Sequence, residues 1–124
     1  MGSETLRKGI AGGEFLRDRK GIILLMFDLP AQTSADKREY THFRKDLRKQ
    51  GFLQLQESCY LKLIRNISSV EQNLINLKKI MPANGNVSVL PMNLNDFKGM
   101  RCLLGEPFDM ALFTEDIYCI GEAE

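Results

Sequence analysis

Six consecutive apolar residues, Ile22 to Phe27, stand between Gly21 and the sequence Asp28-Leu29-Pro30. A strand with one wet face alternates apolar and polar residues, whereas a strand apolar at every position must be covered on both faces. This segment therefore reads as a central strand, and Pro30, which has no N–H to donate to a ladder, ends it. It is far shorter than the roughly 20 apolar residues that cross a bilayer. No apolar stretch of signal-peptide length follows the N-terminus, so a cytoplasmic location is expected. The chain has 124 residues, 44% of them hydrophobic and 27% charged, with a net charge of only +1. That suits one compact domain of ordinary size and excludes the low hydrophobicity and high net charge of a disordered chain.

Residues 1–20 are rich in glycine and charge, have no sustained apolar period, and read as a flexible N-terminal extension to a domain spanning 21–124. After the first strand, Thr33 or Ser34 can cap a helix with Asp36 in its first turn. Tyr40, Phe43 and Leu47 would form its buried stripe, and Gly51 suits the stop after Gln50. Phe52 to Gln56 alternates like a half-buried strand, Glu57-Ser58 can turn it, and Cys59 to Ile64 reads as the next strand. Asn66 to Ser69 break the pattern. A second helix places Val70, Leu74, Leu77 and Met81 on one face and closes at Pro82. Asn84-Gly85-Asn86 is turn chemistry and Val87 to Leu90 a short strand.

The order strand, helix, strand, strand, helix, strand predicts an α+β ferredoxin-like fold, with one antiparallel sheet and both helices on one face. Helices on one side leave the other face of Ile22–Phe27 open. A second copy packed face to face is the expected cover. Met100 to Leu104 and Ile117 to Ile120 are expected as extra C-terminal strands that extend the sheet or reach the partner.

The three cysteines, Cys59, Cys102 and Cys119, lie far apart with no CxxC pair, so buried free thiols are expected rather than a zinc site. Residues 1–65 carry 13 Lys and Arg against 8 Asp and Glu, whereas residues 66–124 carry 4 against 8. The basic half permits a nucleic-acid face. Its densest part is the first helix, where Lys37, Arg44 and Arg48 share one flank and Arg38, Lys45 and Lys49 a neighbouring one. The plain alternative is a solvated helix face, with Asp36, Glu39 and Asp46 offsetting the charge. Asp28 is the strongest single candidate, because a carboxylate directly after an apolar central strand is expensive to bury unless it is paired or metal-bound. Its structural alternative is a cap on the following turn. His42 and Ser58 lack the partners of a catalytic triad and read as structural. Tyr60 belongs either to the core or to a nucleic-acid face.

Four segments share a known pattern: Leu25-Met-Phe-Asp-Leu-Pro30, Tyr40-Thr-His-Phe-Arg-Lys45, Gly51-Phe52 followed by Gln56-Glu-Ser-Cys-Tyr60, and Gly85-Asn-Val-Ser-Val-Leu90. In this order and spacing they resemble the second of the two CRISPR-associated adaptation proteins, the small ferredoxin-like partner of the spacer integrase. Type II members are the most similar. The likeness covers roughly residues 21–121.

It implies a homodimer that bridges integrase dimers and positions duplex DNA for insertion into the CRISPR array. It also implies a metal-dependent endonuclease acting on single-stranded RNA or duplex DNA, with magnesium or manganese held at Asp28. If two Asp28 carboxylates met across the dimer axis, symmetry would supply what one chain lacks. Much of the family has Tyr before this Asp, whereas Phe27 stands here. The acidic residues Glu106, Asp109, Glu115 and Asp116 are either the docking surface for a basic partner such as the integrase or an inert solvated loop. A ferredoxin-like regulatory or dimerisation domain is the third alternative, since a fold alone does not name a function.

Overall fold

A computed structural model describes residues 20–109 of the chain. The elements run β1 (Gly21–Asp28), α1 (Ser34–Lys49), β2 (Leu53–Gln56), β3 (Cys59–Ile64), a 3₁₀ turn (Ile67–Ser69), α2 (Val70–Lys78), β4 (Asn86–Asn93) and α3 (Leu94–Lys98). The four strands form one sheet in the order β2-β3-β1-β4. Every neighbouring pair is antiparallel, with Leu24 opposite Leu61 on β3 and Leu90 on β4. This is the ferredoxin-like arrangement expected from the element order.

The first helix forms where its local chemistry places it. Thr33 accepts from the Asp36 N–H at 3.0 Å while the Asp36 carboxylate accepts from the Thr33 N–H at 3.2 Å. This reciprocal capping box satisfies two otherwise unpaired donors. Thr33→Ala is expected to cost about 1 kcal/mol, and a thermal melt would show it as a loss of about 4 °C. At the other end Gly51 takes φ +95°, which L side chains rarely adopt.

Alternation along β1 divides its side chains between two apolar layers. Ile23, Leu25 and Phe27 pack with Phe43 and Leu47 of α1, Leu77 of α2, and Phe52, Tyr60 and Ile64. Ile22 faces the other way, with Leu61, Leu63 and Phe97. The chain itself therefore covers part of the face expected to need a second copy: α3 and Phe108 lie over the Ile22 end. The far end of that face stays open, with Met26 38% and Leu90 50% exposed.

Several details depart from the sequence expectations. The second helix stops at Lys78, before Met81, which is left exposed. Pro82 disfavours helical backbone at the residue before it. The last strand runs on through Pro91 to Asn93, because β4 lies at the sheet edge, where the outward side needs no N–H. The expected strand at Met100–Leu104 is absent. That segment is irregular, with Leu103 and Leu104 almost fully exposed and Gly105 at φ +95°. Cys102 is exposed rather than buried, and its thiol lies 3.4 and 3.3 Å from the carbonyl oxygens of Leu104 and Gly105. Residues 1–19, Ile117–Ile120 and Cys119 lie outside the described residues.

Candidate nucleic-acid and metal site

Asp28 is the last residue of β1, pairs with Asn86 at the start of β4, and is exposed. By alternation its side chain shares the open face with Met26, whose neighbours across the strands are Cys59 and Ser88. The turn-capping alternative is not what the structure holds. The cap on α1 comes from Thr33, and no hydrogen bond or ion pair of the Asp28 carboxylate is found among the described residues. What shapes the backbone here is Gly85, at φ +109°. A Cβ built on it would lie 2.6 Å from Leu29 Cδ2 and 2.8 Å from the Asp28 carbonyl oxygen. The Phe27 N–H donates to the Ser58 carbonyl at 3.0 Å, so the β2–β3 turn supports the same strand end.

The charges of α1 are sorted by side. At 100° per residue, Arg38, Lys45 and Lys49 lie opposite the buried Phe43–Leu47 stripe, while Lys37, Arg44 and Arg48 lie beside it. Glu39, His42 and Asp46 line the remaining flank, in a hollow shared with Lys79, Ile80, Met81 and Pro82. There Glu39 accepts from the Ala83 N–H and Asp46 sits 3.7 Å from His42. Asp36 is held in the capping box. Arg38 shares a second hollow with Asp36 and Glu39, so the offsetting expected of the acidic residues applies there, whereas Lys37, Lys45, Arg48 and Lys49 line neither hollow. Lys37, Arg38, Lys45, Arg48 and Lys49 are exposed, whereas Arg44 is half-buried.

The family model for CRISPR associated protein Cas2 matches residues 22–100, which include the whole sheet except Gly21. The chain belongs to the Cas2 family. It is 36% identical over 90 residues to a CRISPR-associated endoribonuclease Cas2 of Campylobacter jejuni, covering 73% of this chain and 63% of that protein. A Streptococcus mutans protein of the same name is 35% identical over 103 residues, covering 82% of this chain and 95% of its own length. One from Ligilactobacillus salivarius is 33% identical over 84 residues, covering 68% of this chain and 83% of that protein.

Within this Cas2-family fold, Phe27 does not share the face of Asp28. Neighbouring side chains on a strand point to opposite sides, and the Phe27 ring packs toward α1 against Tyr40, Phe43 and Tyr60. Tyr60 is fully buried, which places it in the core. His42 is 68% exposed on its helix, consistent with a surface residue. Of the acidic surface, Glu106 and Asp109 are exposed. Glu106 shares a groove with Lys98 and Arg101, so that part carries mixed charge. Glu115 and Asp116 lie outside the described residues.

Two features escaped the sequence reading. Lys62 donates to Asn73 Oδ1 at 2.7 Å in the layer between sheet and helices, and burial pushes its ammonium pKa down. Its place as the one charged residue in an otherwise apolar strand was the available signal. Gly85 was visible only as turn chemistry. Its contact with Asp28 crosses more than 50 residues of sequence, so no local pattern could reveal it.

Proposed function

We propose that this chain is a cytoplasmic, homodimeric subunit of CRISPR adaptation that bridges integrase dimers and positions duplex DNA for insertion into the array. The observation that carries the proposal is the sorting of charge on α1, which leaves Lys37, Lys45, Arg48 and Lys49 exposed and outside the two hollows that its acidic residues line. Four such cations on one rigid element suit phosphate contacts, which orient a duplex and read little of its sequence. The open apolar patch at Met26 and Leu90 favours a second copy at the Asp28 end of the sheet, since α3 already occupies the other end. Binding to a short duplex should weaken steeply with salt, because each Lys or Arg contact releases counterions. Lys37→Gln and Arg48→Gln should each lower the slope of log K against log salt by about one. A slope unchanged in both variants would remove α1 from the interface.

A second reading, a metal-dependent endonuclease, is favoured by the exposed Asp28 carboxylate and by the endoribonuclease names of the relatives. Among the described residues no group of three or more His, Cys, Asp or Glu could hold a metal ion. Among the described residues Asp28 therefore stands outside any such three-membered group. That fits magnesium, which commonly takes one or two carboxylates, keeps several waters and accepts phosphate oxygens, provided the partner copy or the substrate completes the set. Such an ion would supply Lewis-acid polarisation of the phosphodiester. Asp28 would anchor it, and the Gly85 and Ser58 backbone contacts would hold the strand end that carries Asp28.

A further inference from the structure

We infer that Arg44 is a positioning residue for the Asp28 end of the sheet, not one of the phosphate contacts that its place in the basic helix suggests. Of the six basic residues on α1 it alone is partly rather than fully exposed. Its Nε–H donates to the Tyr60 hydroxyl at 2.9 Å, and its guanidinium carbon lies 5.7 Å from the centroid of the Tyr40 ring. The hydrogen bond to Tyr60 is the main reason its pKa is raised further above the ordinary arginine value. The two tyrosines it joins wall in Phe27. Tyr40 meets that ring edge-on with centroids 5.7 Å apart, and Tyr60 meets it tilted at 5.9 Å. Phe27 is the residue before Asp28, and its N–H is bound to Ser58. A clamp on Tyr40 and Tyr60 thus limits the movement of Phe27, and through it the direction in which the Asp28 carboxylate leaves the strand. A flat guanidinium can bond one tyrosine while lying over another, which a lysine ammonium cannot reproduce.

The purpose assigned to Arg44 rests on reading Asp28 as the functional carboxylate, but its test does not need activity. The backbone amide signals of Phe27 and Asp28 are followed by ¹⁵N NMR in the full chain, alongside duplex titrations over a range of salt. Arg44→Gln, Arg44→Lys and Tyr60→Phe are each expected to move both signals well beyond the change caused by Arg48→Gln or by the core variant Leu77→Ala. Arg44→Gln should leave the salt slope at its parent value. Tyr60→Phe removes only a hydroxyl, so it carries the NMR test if Arg44 variants fold poorly. The inference is overturned if Arg44→Gln lowers the salt slope by about one, or if both amide signals stay within the range of the two controls. If the parent protein binds no duplex at any salt, the DNA-positioning proposal fails and the amide signals alone decide the role of Arg44.

Discussion

Asp28→Ala is expected to abolish any magnesium-dependent heat in a calorimetric titration and to reduce any phosphodiester cleavage by more than about 100-fold. Losing an outer-shell partner of a metal ligand already costs about 10- to 100-fold, and here the ligand itself would go. The fold should survive. Asp28 is exposed, and surface substitutions away from special features usually change stability by no more than about 0.5 kcal/mol. The same variant separates the two proposed activities. If cleavage disappears while duplex binding and spacer acquisition persist, the DNA-positioning role stands independently of metal chemistry. If magnesium heat and cleavage match the parent protein, the endonuclease reading built on Asp28 is wrong.

Gly85→Ala should be among the most damaging single changes in the chain. At φ +109° a residue with a Cβ is strained by about 1–3 kcal/mol. The added methyl would also meet the Asp28 carbonyl oxygen at 2.8 Å and Leu29 Cδ2 at 2.6 Å. Leu29 can rotate away, but the carbonyl belongs to the end of β1, so the strand end must shift. Overpacking of this kind costs about 1–3 kcal/mol more. A loss of about 2–6 kcal/mol should lower the melting temperature by about 8–24 °C. At temperatures where the variant remains folded, Asp28 should be displaced and magnesium binding weakened. The contrasting control is Gly105→Ala. Gly105 also has positive φ, but no atom lies within 4 Å of a Cβ built there, so only the strain applies and Asp28 should not notice. Equal losses from both variants would show that contact with the Asp28 turn is unimportant.

The local features were legible in the chain because each depends on neighbours in sequence. Thr33 and Asp36 are three residues apart, Phe43 and Leu47 one turn apart, and β3 was expected with the ends it has, Cys59 and Ile64. Expectations failed where an apolar or proline signal had to be weighed against distant structure. The last strand was expected to stop at Leu90 and runs on through Pro91, which is tolerated because β4 is at the edge. Met100–Leu104 looked like a strand, yet no free partner edge receives it among the described residues.

What the sequence by itself determined was the kind and order of elements, the interior place of the first strand, and the family whose pattern those segments carry. Periodicity, capping and turn chemistry act over a few residues, so they can be read in a line. Only the tertiary structure decided what meets what. It put α3 over one end of the open face, set Gly85 against Asp28, gathered Glu39 and Asp46 into a hollow with residues 79–82, and bonded Arg44 to Tyr60. Those outcomes depend on which surfaces the strand pairing brings together, and long-range pairing leaves no mark on any short stretch of the chain.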